Sequence, residues 1–172
     1  MQDSRASALH GVLALLAADK QLENRIRLQK EAYLLALKGY ANFQPRKFIF
    51  HYFGPYSREV SDALHLGVSS ELIQEKKEAF GGKSKYTYVI TDEGRRWLES
   101  ESDDGDEMVF QLHKQFRSAH WRCLELAATA AFLERSGAAE ARDESIAKAV
   151  ALKPECKPFQ ADAQKLLHSL SL

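Results

Sequence analysis

The chain has 172 residues, 45% of them apolar, with 24 basic and 24 acidic side chains and a formal net charge of zero. That size and composition fit one compact domain, or a small domain with an extension, and exclude a coiled or disordered chain. They also exclude a global field that draws the molecule to nucleic acid or an anionic membrane, so any electrostatic partner is met locally. Cys123 and Cys156 are too few and too isolated for a disulfide framework. With no apolar leader and no run near the ~20 residues of a membrane span, the expectation is a cytoplasmic protein with reduced thiols and no membrane role.

Leu9, Val12, Leu13 and Leu16 recur at helical spacing, with Ser4 or Ser7 as N-cap, and predict a first helix. A second is predicted from about Asn24 to Lys38, with Ile26, Tyr33 and Leu37 on one stripe and Leu28, Ala32 and Leu35 beside it. Its broad apolar face marks it as central, and Gly39 stops it. Phe48 to Phe53 is a short aromatic segment of high β-propensity. Gly54-Pro55 ends it, because glycine takes angles closed to other residues while proline fixes φ and removes a donor. The expectation is a strand-to-helix corner, with Ser57 capping a third helix whose Val60, Ala63 and Leu64 face inward. Leu72 to Phe80 and Lys85 to Thr91 flank Gly81-Gly82 as a β-hairpin. Thr91-Asp92-Glu93-Gly94 then starts a short helix containing Trp97 and Leu98.

The acidic run from Glu99 to Glu107 separates two halves: residues 1–100 carry a charge of +3 and residues 101–172 a charge of −3. An EF-hand loop beginning at Asp103 fails because Gly105 stands where Asp or Asn is needed. The run reads as a solvated linker feeding a helix N-terminus, where acids favour the dipole. Met108, Leu112 and Phe116 then lead into Trp121, Leu124, Ala128, Ala131 and Phe132 as one apolar stripe that Gly137 ends. A helix near Ala139 to Leu152 stops at Lys153-Pro154, and Pro158 opens the first turn of a last helix carrying Phe159, Ala163, Leu166, Leu167 and Leu170. These stripes have to be covered by the first half, by a second copy in a homodimer, or by both.

The order helix, helix, short strand, helix, hairpin, helix is that of a winged helix. RLQKEAYLLALKGY, Arg27 to Tyr40, and FHYFGPYSREV, Phe50 to Val60, together resemble the Panacea (SocA-like) and YwgA-like families of small prokaryotic winged-helix proteins. YVITDEGRRWL, Tyr88 to Leu98, is similar to the wing-to-helix junction widespread in winged-helix regulators. Panacea proteins carry a Trp before the Gly-Pro where this chain has Tyr52 and Phe53, and an apolar residue in place of Glu31, so the likeness is nearer the YwgA-like branch. The resemblance implies a mainly α fold with a small antiparallel β-sheet. It covers roughly residues 7–99, so residues 1–100 are expected to form a winged helix-turn-helix, and the apolar stripes beyond it make residues 101–172 a helical extension that packs on it, forms a dimer interface, or both. It further implies a non-catalytic binding protein, an antitoxin, a regulator or an adaptor that holds a toxin.

Two binding modes follow. Phosphate contacts demand Lys or Arg on the docking face, yet Ser57 to Leu66 offers only Arg58 against Glu59 and Asp62. Lys20 to Lys47 holds seven bases against Glu23 and Glu31, and the wing adds four lysines. Duplex DNA would therefore be met by helix two and the wing, through Arg25, Arg27, Lys30, Arg46, Lys47, Arg58, Lys83 and Lys85. In the opposed mode a protein effector such as a toxin docks on the aromatic corner, with Phe53 and Tyr56 as contacts and Arg58, Glu59 and Asp62 beside them. An acidic recognition helix obstructs only the DNA mode, so the protein partner leads. Strand alternation sends part of the aromatic run into the core in either case.

Catalysis finds no motif: there is no P-loop, dinucleotide-binding glycine pattern, nucleophile elbow or HExxH. His113, His120 and Cys123 share a helical face by spacing but lack a further ligand. Ser57 near His51 is accounted for by its cap. The expectation is a non-enzyme with no cofactor and no metal.

Overall fold

Two helices without a polar side run through the middle of the molecule. The computed structural model describes residues 4–101 and 103–172, apart from the side chains of residues 4–6, 80 and 83. In α2 (Arg25–Leu37) every residue from Leu28 to Ala36 is buried, and in α6 (Trp121–Arg135) every residue from Cys123 to Ala131. A helix enclosed on all sides has to sit inside the core, and these two pack on each other. Asn24, at φ 60°, starts α2 by accepting a hydrogen bond from the Arg27 N–H at 2.8 Å. Gly39, at φ 91°, lets the chain leave it.

Around this pair the first half follows the expected order. α1 (Ser4–Ala18) packs on α2, on α3 (Arg58–Ser69) and on α4 (Asp92–Ser100). Ser57 caps α3 and Thr91 caps α4. The hairpin of β4 (Ile73–Phe80) and β5 (Lys83–Ile90) gains a third strand, β1 (Leu22–Glu23), which lies between the first two helices and pairs Leu22 with Tyr88. Two residues are too short a run to announce a strand. The fold is mainly helical, with eight α-helices among the described residues and two small antiparallel sheets.

In the second half, α5 (Asp106–Ser118) packs on α1 and α2, α6 on α2, and both α7 (Arg142–Leu152) and α8 (Gln160–Ser169) on α6. One core runs unbroken from Ala8 to Leu170, so the stripes of the second half are covered within the chain. No helix among the described residues is long and apolar enough to cross a membrane.

Three local expectations are corrected. Gly54-Pro55 does not end the strand at a corner, because Gly54–Tyr56 is itself a strand returning along Ile49–His51. The single stripe from Met108 to Phe132 belongs to two helices, broken at Ala119 and His120, whose backbones are extended. Arg27 holds that break open by donating to the carbonyls of Phe116 and Ala119, groups a continuous helix would have used itself. Pro158 lies inside a 3₁₀ segment, Pro154–Phe159, rather than in the first turn of α8.

Candidate functional site

β2 (Ile49–His51) and β3 (Gly54–Tyr56) form a tight hairpin in which Ile49 faces Tyr56, Phe50 faces Pro55 and His51 faces Gly54. The two residues left at its tip are Tyr52 and Phe53. The positive φ the turn requires falls on Gly54, at 86°. Turn tips favour Asn, Asp and Gly; two aromatics there satisfy no local rule. Tyr52 is 87% exposed, Ile49 62%, Phe53 48% and Phe50 44%. A lone exposed apolar residue is ordinary, but four in one five-residue stretch, with Phe50 and Ile49 on opposite faces of the hairpin and Tyr52 and Phe53 at its tip, concentrate apolar surface of the kind that marks a contact site.

Beneath the patch the hairpin stands on buried charge. Pro55 has no N–H, so it takes the non-hydrogen-bonded place opposite Phe50 and turns its carbonyl away from β2. Lys30 of α2 donates to that carbonyl at 2.7 Å. Lys153, at the end of α7, donates to the Tyr52 carbonyl at 2.6 Å and to Glu125 Oε1 of α6 at 2.7 Å, and its ammonium lies 5.9 Å from the centre of the Phe53 ring. Gln29 brackets the next turn, donating to the Ser57 carbonyl at 2.9 Å and accepting from the Ser57 N–H at 2.8 Å. Gly54 sits so close to Thr129 that a Cβ there would overlap its hydroxyl. Phe50 leans on Phe132, which meets Tyr33 and, through it, the buried Phe48.

Lys30, Glu125 and Lys153 are all buried. An ammonium inside a protein is costly unless it is fully hydrogen-bonded. Burial pulls the Lys30 pKa down to about 7; the Glu125 carboxylate opposes this and the Lys153 charge adds to it. Glu125, Glu155 and Cys156 each bring one ligand atom to within 4.8 Å of the others. Lys153 already neutralises Glu125 there, and burial, with Glu125 beside it, pushes the Cys156 thiol up to about 11. That chemistry serves the hairpin better than a cation.

A cavity of about 240 Å³ opens between the hairpin, α2 and α3. Phe53 and Tyr56, both expected as partner contacts, line its mouth. The other three do not join them: Arg58 and Asp62 pair with each other at 3.7 Å on the outer face of α3, and Glu59 is half-buried beside them.

The cations expected to meet DNA are mostly engaged elsewhere. Lys30 is internal. Arg27 pairs with the buried Glu31 at 2.7 Å, Arg25 donates to the Tyr88 hydroxyl at 2.7 Å and to Glu75 at 3.0 Å, and Lys85 pairs with Glu23 at 2.9 Å. Arg46 and Lys47 are exposed on a short 3₁₀ turn, Pro45–Lys47, ahead of the hairpin. The Lys83 side chain lies outside the described residues. The helical trio also parts: His120 stacks on Phe159 with ring centres 4.4 Å apart, Cys123 is buried, and His113 turns into the core. There its ring lies 3.2 Å from Asp19 and 3.6 Å from Glu31. Burial opposes charge on that ring, and the Glu31 and Asp19 carboxylates outweigh it, so its pKa stands above the ordinary histidine value.

Sequence reasoning missed Tyr52 as the most exposed contact, and Glu125 and Lys153 as supports. Glu125 did carry a signal, as a carboxylate inside an apolar helical run. No protein-family model matches the chain. It is similar to the uncharacterized protein YwgA of Bacillus subtilis (strain 168), 27% identical over 126 residues, which is 73% of this chain and 74% of that protein.

Proposed function

We propose that this is a cytoplasmic, non-catalytic binding protein of winged-helix type that docks a protein effector through the tip of the β2–β3 hairpin. One observation carries the reading: Tyr52, Phe53, Ile49 and Phe50 are exposed together on a loop that Lys30, Lys153 and Gln29 fix from below. Exposed aromatics on a backbone that is held in place suit interface hot spots, because less loop entropy is lost on binding. The winged-helix reading rests on the order α1, β1, α2, α3, β4, β5, with the β2–β3 hairpin set between α2 and α3, and on the sheet order β1-β5-β4. The antitoxin or adaptor role rests on the resemblance of the two motifs alone, and the YwgA relative adds no activity to it.

Duplex DNA has less to stand on. The outer face of α3 presents Arg58 paired with Asp62, Arg27 and Lys85 are committed to carboxylates, and Arg25 divides its guanidinium between Tyr88 and Glu75, keeping one Nη without a hydrogen-bond partner among the described residues. Phosphate contacts there would first have to break those pairs. The test compares the tagged wild type with Tyr52→Ser and Phe53→Ser in affinity purification from the native cell. We expect one stoichiometric protein that both variants lose while their melting temperatures stay within about 2 °C, as surface changes do. Identical co-purification with all three overturns the reading. Anisotropy with duplex DNA over a salt series tests the alternative, which requires a steep slope.

A further inference from the structure

The cavity beside the hairpin has a one-sided chemistry. Ile26, Phe53, Tyr56 and Leu64 form its apolar walls, and Arg25, Lys30 and His51 its charged or titratable ones. Among the described residues no acid lines it, although the chain as a whole carries as many acids as bases. Arg25 spends Nε on Tyr88 and one Nη on Glu75, which leaves its other Nη without a partner among the described residues. His51, which also lines the cavity, is exposed, with its ring between those of Tyr52 and Tyr56. About 240 Å³ lies below the ~300–1,000 Å³ of small-molecule sites, and one or two side chains would fill it.

Resting on the docking reading above, we propose that this cavity receives an acidic peptide segment of the partner protein. An apolar side chain enters between Phe53 and Leu64, and a neighbouring Asp or Glu carboxylate meets Arg25 and His51. The aromatic tip would then supply contact area while the cavity supplies sequence preference. A carboxylate on the free guanidinium nitrogen makes a charge-assisted hydrogen bond, and Lys30 adds an attractive field from below. Burial keeps the Lys30 pKa near 7, and an arriving carboxylate raises it. Binding therefore tightens as pH falls from 8 to 6, with the Glu125 carboxylate and the Lys153 ammonium as the charges beside Lys30 and with Arg25 and His51 sharing the cavity.

The experiment pans a phage-displayed random heptapeptide library against the full-length chain and measures the selected peptide by fluorescence anisotropy. We expect a consensus with Asp or Glu within two positions of an aromatic or branched apolar residue. Replacing that acid by its amide, or Arg25 by Gln, should weaken binding about tenfold or more. Since Arg25 also holds Tyr88, Ser61→Phe serves as a second variant that fills the cavity without touching charge, and it should weaken binding to the same extent. No enriched peptide, a consensus free of acids, or equal affinity for Ser61→Phe and wild type overturns the proposal. Because no effector enters this experiment, such a result leaves the docking role of Tyr52 to be judged by co-purification alone.

Discussion

Lys153 places one ammonium against the Glu125 carboxylate, the Tyr52 carbonyl and the Phe53 ring, with ammonium and carboxylate both buried. Such an ion pair brings little net stability, since desolvation offsets its attraction, but it fixes geometry, because leaving one charge unpaired is expensive. Lys153→Met should therefore cost about 3–5 kcal/mol in urea unfolding. The double variant with Glu125→Leu should lose less than the two single losses combined, since no charge is then stranded; simple additivity would show that the pair is not coupled. His113 gives a second test at this scale. Its folded pKa is raised above the ordinary ~6.5, so its contribution is complete below that pH and is lost as pH rises through the folded value. The melting temperature of the wild type should fall between pH 6 and 8, and that of His113→Gln should stay flatter; parallel curves would remove His113 from the account.

The hairpin makes the corresponding point for a whole element. Gly54 combines a positive φ with the Thr129 contact, so Gly54→Ala should destabilise by about 1–3 kcal/mol. Adding Thr129→Ala should restore only part, because the backbone strain remains; full rescue in chemical unfolding would show that crowding alone matters. Elements whose pattern is local were legible in the sequence. α3 has its cap and inward stripe, and β4 and β5 flank two glycines. Gly54-Pro55 was read as a stop, since a proline opposes continuation of a strand, yet this one faces a non-hydrogen-bonding place and needs no N–H. The break between α5 and α6 was illegible because Arg27, which satisfies its carbonyls, stands some ninety residues earlier. The same distance in sequence hides the role of Lys30, expected as a DNA contact: the Pro55 carbonyl that holds it and the His113 ring beside its neighbour Glu31 are both remote. The aromatic corner could be named, but which aromatics face out depended on α6 and α7, and Tyr52 was passed over.

For the molecule as a whole, the extension is part of the site's foundation. α6 supplies Glu125 and Thr129, the end of α7 supplies Lys153, and both stand under a hairpin encoded in the first half. α2 would lose its cover over Glu31 and Tyr33 without His113 of α5 and Phe132 of α6. A fragment of residues 1–100 should accordingly show no cooperative thermal transition; a sharp transition with a dispersed amide spectrum would make the extension an accessory.

Photo-crosslinking in living cells from benzoylphenylalanine placed at Tyr52, with Glu107, exposed at the start of α5, as the control position, decides whether the hairpin tip docks a protein. One discrete crosslinked protein is expected from position 52 and none from position 107. No adduct at 52, or the same adducts from both positions, would contradict it.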